Sequence, residues 1–208
     1  MVGEGVLHEC LRDDRIEQVL SLGRKPTGVT HRKLRELIVP DFFDLSAVAG
    51  QLTGYNACFF CLGVSSVGMK EPEYYRLTHT LTLMVATLLS QQNPDMTFCY
   101  VSGVGTDSTE KGSSMWARVK GKTENDLMAL PFQRVVNFRP GYVHPTPGLK
   151  NASVYYRYIS WLYPIVRKLF PAYFITLSEL SRAMLNTVGT GRQRRVLEVK
   201  DILALAES

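Results

Sequence analysis

The stretch Thr97-Phe-Cys-Tyr-Val-Ser102, Gly103-Val-Gly-Thr-Asp-Ser-Thr-Glu-Lys-Gly112, Ser113-Ser-Met-Trp-Ala-Arg-Val-Lys120 decides the fold. Its first block is apolar, aromatic and β-branched, which predicts a buried strand ending at Ser102. Its second block holds Gly103, Gly105 and Gly112 among short polar side chains and predicts a loop. In the third, Trp116 and Lys120 are four apart, on one face of a helix. A serine at the carboxyl end of a parallel strand lies where open α/β sheets bind ligands. A helical lysine returning beside it gives one pocket a hydroxyl and a cation.

Outward from this stretch, strands alternate with helices. A helix is expected from the first residues to Asp13-Asp14, then a strand over Gln18 to Leu22. A short strand follows over Leu37 to Val39, then a short helix over Ser46 to Leu52 and a strand over Ala57 to Leu62. Glu71 to Ser90 reads as a long helix with Pro72 in its first turn. Gln133 to Phe138 is another strand, and Asn151 to Phe170 a helix broken at Pro164. Thr176 and Glu179 form a capping box that opens a helix to Val188. Arg195 to Val199 is a last short strand, and Asp201 caps a terminal helix. This alternation predicts an α/β fold with a doubly wound, mostly parallel, Rossmann-like sheet. Right-handed crossovers then gather Arg24, Asp44, Gly63, Ser102 and Pro140-Gly141 on one edge.

The 208 residues suffice for one domain with a substantial core, and 45% hydrophobic against 21% charged residues is ordinary globular composition. The net charge of +5 implies a solvated basic surface. No apolar run approaches the ~20 residues of a membrane span. Ile159 to Leu177 is interrupted by Pro164, Arg167, Lys168 and Pro171, and is expected to pack as an amphipathic helix. Cys58 and Cys61 fall on opposite faces of an extended strand, so buried reduced thiols and a cytoplasmic location are expected. His8, His31, His79 and His144 share no ligand spacing, which leaves no expected metal site. The basic run from Gly191 to Arg195 reads as a solvated turn, so no nucleic-acid partner is expected.

From Met1 to about Leu205, the order of elements and the Ser102–Lys120 pair resemble an atypical, sugar-epimerase-like branch of the short-chain dehydrogenase/reductases. The resemblance implies one NAD(P)-binding Rossmann-like domain over residues 1–208. A small helical portion on the substrate side would begin near residue 144. Met1-Val-Gly3 matches the last step of the family's glycine turn, with Gly3 as its third glycine. The first strand and first two glycines have no counterpart, so the fold is expected to be truncated at its amino end. Gln18–Leu22 and Ala57–Leu62 would then flank a slot whose unpaired amides cost about 1–3 kcal/mol each. A longer natural chain is the favoured resolution, ahead of another segment or subunit in the slot or a re-paired sheet.

The resemblance also implies a cofactor footprint. The residues that read the adenosine ribose lie about 20 positions beyond the glycine turn, at Gly23-Arg24-Lys25. An arginine there suits a 2′-phosphate, which favours NADP over NAD. Asp44 and Leu45 match the adenine contact, and Leu62-Gly63-Val64 the stretch beneath the cofactor. Pro140-Gly141-Tyr142-Val143 matches the loop beside the nicotinamide.

The family's catalytic set is Ser, then Tyr-x-x-x-Lys; here Ser102 and Lys120 match and Trp116 stands at the tyrosine position. Lys120 would also hold the cofactor ribose. An indole N–H does not titrate in the useful range, so Trp116 cannot be the acid. Tyr100, Tyr142, His144 and Asp107, or water in place of a side chain, are the open candidates for that role. The expected substrate is a small molecule with a carbonyl or hydroxyl group, turned over by an NADP-dependent oxidoreductase. The alternative is a binding module of the same fold without the chemistry. The long helix Glu71–Ser90 and the helix after Lys120 resemble the family's dimer surface, and the resemblance implies that a homodimer can form.

Overall fold

A computed structural model describes residues 1–146, 173–188 and 194–208. The expected helix at 151–170 and residues 191–193 of the basic run lie outside them. The chain divides into two compact units, one of residues 41–139 and 194–196, the other of 1–40, 140–193 and 197–208.

The unit of residues 41–139 holds the stretch quoted first. Strands β3 (Ala57–Phe60), β4 (Thr97–Val101), β5 (Arg134–Arg139) and β8 (Val196–Glu198) form a sheet in that order. The β3–β4 and β4–β5 pairs are parallel, with Phe59 opposite Cys99 and Cys99 opposite Val136. Phe98, Cys99, Val136 and Phe138 are fully buried, as a strand covered on both faces requires. The Phe98 ring stacks between Phe60 at 5.8 Å and Phe132 at 5.0 Å.

The long helix of the sequence reading is present as α2 (Glu71–Tyr75), a π turn (Arg76–Thr80) and α3 (Leu81–Gln92). Pro72 lies in the first turn, where its missing N–H has no intrahelical partner to lose. Asn93 ends α3: its side chain donates to the Leu52 carbonyl at 2.9 Å and accepts from Tyr55 N–H at 3.1 Å. Helix α4 (Met115–Met128) joins α2 through Arg118 and Glu71 at 2.8 Å. It joins the π turn through His79 and Asp126 at 2.7 Å. The short helix expected at Ser46–Leu52 contracts to one 3-10 turn, Ala49–Gln51.

In the other unit, α1 (Val2–Arg12) opens the chain and ends at Asp13, as its pattern predicts. Strands β1 (Val19–Gly23) and β2 (Leu34–Ile38) form a two-stranded parallel sheet. The second strand begins three residues earlier than its sequence reading. Their crossover carries Arg24, Lys25, Arg32 and Lys33 and no acidic residue. Strands β6 (Tyr142–His144) and β7 (Phe174–Thr176) form another parallel pair. Neither strand is foreseen in the sequence: three residues carry no periodic signal, and Phe174–Thr176 is extended where the stretch from Ile159 to Leu177 is expected to be helical. Helix α5 (Leu177–Thr187) starts at the expected capping box of Thr176 and Glu179. It lies so close to α1 that a Cβ on Gly5 would stand 2.5 Å from the Leu177 side chain. Helix α6 (Val199–Ala206) also opens on a capping box, with Glu198 at the cap and Asp201 at its third position rather than as the cap itself.

The four cysteines are free thiols. Burial pushes Cys10 and Cys58 up to about 12. Among the described residues no group of His, Cys, Asp or Glu could hold a metal ion, and no helix is long and apolar enough to cross a membrane.

Candidate functional site at the carboxyl end of β4

Ser102 follows β4 directly, and its N–H donates to the Phe138 carbonyl at 2.8 Å, which extends the ladder by one residue. Its side chain is 6% exposed. The hydroxyl lies 2.5 Å from Glu124 Oε1 and 3.1 Å from the Phe138 carbonyl. It has one hydrogen to give, and the charged carboxylate is the stronger acceptor. The hydroxyl therefore faces inward as a donor.

Glu124 lies on α4, one turn beyond Lys120, and is fully buried. Arg139, the last residue of β5, holds it with a fork: Nε donates to Oε1 at 3.1 Å and Nη2 to Oε2 at 2.5 Å. The same Nη2 donates to Ser108 Oγ at 2.5 Å, which links the ion pair to the loop after β4. A buried carboxylate needs such company, because an unpaired one carries a desolvation cost of several kcal/mol.

Lys120 donates from Nζ to the Ser102 backbone carbonyl. It forms no ion pair among the described residues. Burial pushes its ammonium down to about 8, against a smaller upward pull from Glu124. One turn earlier, Trp116 lies against the loop: a Cβ on Gly105 would stand 3.4 Å from the indole. Gly105 has φ +86, a conformation that favours glycine.

The loop after β4 is pinned to α4. Asp107 N–H donates to the Ala117 carbonyl at 3.0 Å, and the Asp107 carbonyl packs on Gly121. The Asp107 carboxylate accepts from the Thr109 hydroxyl at 2.6 Å and from Gly112 N–H at 2.7 Å. These bonds hold its carboxyl below the usual range, so it has no proton to give at neutral pH. Tyr100 is 2% exposed and burial raises its phenol, with Tyr74 and Glu124 adding to the shift. Two of the four candidate acids are thus poorly suited to the role. Tyr142 and His144 lie on β6, in the other unit.

The footprint residues are distributed as follows. Asp44 is exposed and accepts from Ser46 N–H at 3.0 Å, which holds its carboxyl low; Leu45 beside it is buried. Leu62 and Gly63 are exposed in the loop after β3, followed by Val64 and by Val67 at 88% exposure. In the other unit, Gly3 is exposed in the first turn of α1 and Arg24 is exposed just after β1. Pro140 is buried, and the Tyr142 ring lies 5.3 Å from Phe174. The structure brings Ser102, Lys120 and Trp116 together around one loop and one helix. It adds Glu124 and Arg139, which the sequence reading passed over. Their signal was a carboxylate four residues after Lys120 on the same helical face, and an arginine closing an apolar strand.

No family profile matches the chain. Across 217 residues it is 26% identical to Protein HTATIP2 of Rattus norvegicus, covering 99% of this chain and 85% of that protein. A GalE-like L-threonine dehydrogenase from Cupriavidus necator superposes with a TM-score of 0.68 at 15% identity, over 95% of this chain and 74% of its own. The ADP-L-glycero-D-manno-heptose-6-epimerase of Helicobacter pylori superposes with a TM-score of 0.67 at 12% identity, over 100% of this chain and 78% of its own. The chain has the Rossmann fold of these enzymes. The Bordetella bronchiseptica enzyme WbmG, solved in complex with NAD, shares it with a TM-score of 0.66 at 12% identity, over 99% of this chain and 74% of its own.

Proposed function

We propose that this protein is an NAD(P)-dependent oxidoreductase or epimerase-like protein acting on a carbonyl or hydroxyl group of a small molecule. The observation that supports it most is the Lys120 amino group bonded to the Ser102 carbonyl, where β4 gives way to its loop. This puts a cation and a serine at the carboxyl end of a parallel strand, the usual ligand edge of such sheets. A bound nicotinamide cofactor would supply or accept the hydride. Lys120 would hold its ribose, and Asp44, Leu45, Leu62 and Gly63 would line its path. The exposed Arg24 and Lys25 favour the 2′-phosphate of NADP over the free hydroxyl of NAD. Helices α2–α3 and α4 would pair two copies.

Calorimetry with NADPH and NADH tests the cofactor. Tighter NADPH binding that weakens in Arg24→Ala supports the reading, and no binding of either removes it. Steady NADPH oxidation with a carbonyl panel, lost in Ser102→Ala, supports the chemistry.

A second reading is a dinucleotide-binding module without turnover. Trp116 at the tyrosine position and the inward Ser102 hydroxyl favour it. A rise in Tm with NADPH and no oxidation across the panel would select it.

A further inference from the structure

Lys120 and Glu124 are four apart on α4, the spacing at which a lysine and a glutamate ordinarily pair. Here they do not. Both oxygens of Glu124 are taken by the Arg139 fork, and Oε1 also receives the Ser102 hydroxyl. Lys120 turns instead to a neutral acceptor, the Ser102 carbonyl.

The other titratable groups nearby do not replace Glu124. The Asp107 carboxylate is bonded to Thr109 and Gly112, and Glu110 accepts from Asn125 at 2.8 Å. Tyr100 and Tyr74 are buried phenols, each raised by burial and neutral at physiological pH. The site thus holds an ammonium that is largely out of water and has no anion of its own. It also holds no phenol where the family places one, since Trp116 occupies that position.

We propose that Lys120 is itself the proton donor of this site, and that Arg139 is the positioning residue that makes it one by keeping the Glu124 carboxylate to itself. The proposal rests on the reading of the site as one where a carbonyl is reduced. As the carbonyl oxygen becomes an alkoxide, one N–H bond of the Lys120 ammonium breaks and the proton forms an O–H bond with that oxygen. Lys120 is left as a neutral amine, and solvent restores its proton. In the oxidising direction the neutral amine takes the hydroxyl proton. A lysine whose charge is destabilised by burial performs both steps near neutral pH. A lysine paired with Glu124 would hold its proton too firmly.

Competitive acetylation with trace acetic anhydride, quantified on the Lys120 peptide by mass spectrometry, reads this titration in the protein without cofactor. Wild type is expected to give a midpoint of about 8. Arg139→Met frees Glu124 to face Lys120 and is expected to raise the midpoint by about one unit or more. A wild-type midpoint at the ordinary lysine value, or none of this rise, overturns the proposal. Where Arg139→Met shows no cooperative thermal transition, Glu124→Gln decides: the midpoint stays or falls, and a rise overturns the proposal. In turnover with NADPH, kcat/KM is expected to fall at high pH with the labelling midpoint and to move with it in the variant. A profile that ignores the midpoint overturns Lys120 as donor. The expected labelling without turnover on any carbonyl removes the reductase reading and leaves the coupling of Arg139, Glu124 and Lys120 standing.

Discussion

Gly121 faces the backbone carbonyl of Asp107 so closely that a Cβ there would lie 1.7 Å from the oxygen. Neither partner is a flexible side-chain end, so a methyl group must push the loop or the helix away. Gly121→Ala is expected to destabilise by about 3 kcal/mol, the upper end of ordinary overpacking, even though alanine is the better helix former. Thermal unfolding measures the loss. In a Trp161→Phe background, a red shift of Trp116 emission reports the displaced loop.

The Glu124–Arg139 pair predicts strong non-additivity. Glu124→Leu takes the carboxylate from a guanidinium that is 12% exposed, and Arg139→Met takes the guanidinium fork from a carboxylate at 0%. Each single change is expected to cost about 3–5 kcal/mol, and the double change much less than their sum. Chemical denaturation of the four proteins measures the cycle. An additive double variant contradicts the pairing.

Lys120 predicts a pH effect on stability. Its folded value of about 8 lies below its ordinary 10.5. Between those values the unfolded chain binds more protons, so this group's contribution rises with pH. Lys120→Met is therefore expected to be more stable than wild type at pH 7, by at most about 3 kcal/mol. The advantage should shrink above pH 8 and vanish near 10.5. Tm measured across that range for both proteins checks the sign.

The buried thiols act in the opposite sense. Burial raises Cys10 and Cys58 from 9.0 to about 12, so the fold holds them neutral while the unfolded chain ionises. Their contribution is complete below pH 9 and is lost as pH climbs towards 12. Cys10→Ala is expected to flatten the fall in Tm between pH 9 and 11 while lowering Tm at pH 7.

The parallel strands β3, β4 and β5 were legible in the sequence because each is an apolar run bounded by turn residues. The capping box of Thr176 and Glu179 was legible because both members are local. Trp116 announced itself as a departure from a spacing. The fork from Arg139 to Glu124 was not legible, because it joins residues fifteen apart through the stacking of helix on sheet. Gly121 could not be told from any helical glycine until the Asp107 carbonyl was seen against it. Tyr142 to His144 read as loop because its strand is three residues long.

The crossover between β1 and β2 has a consequence at long range. From Arg24 to Arg35 there are five cations and no acid. An anion drifting in from bulk water is therefore drawn towards this crossover. Because counter-ions mute such a pull beyond about 8 Å at physiological ionic strength, the speed of capture should collapse with added salt while the grip of the bound state changes far less.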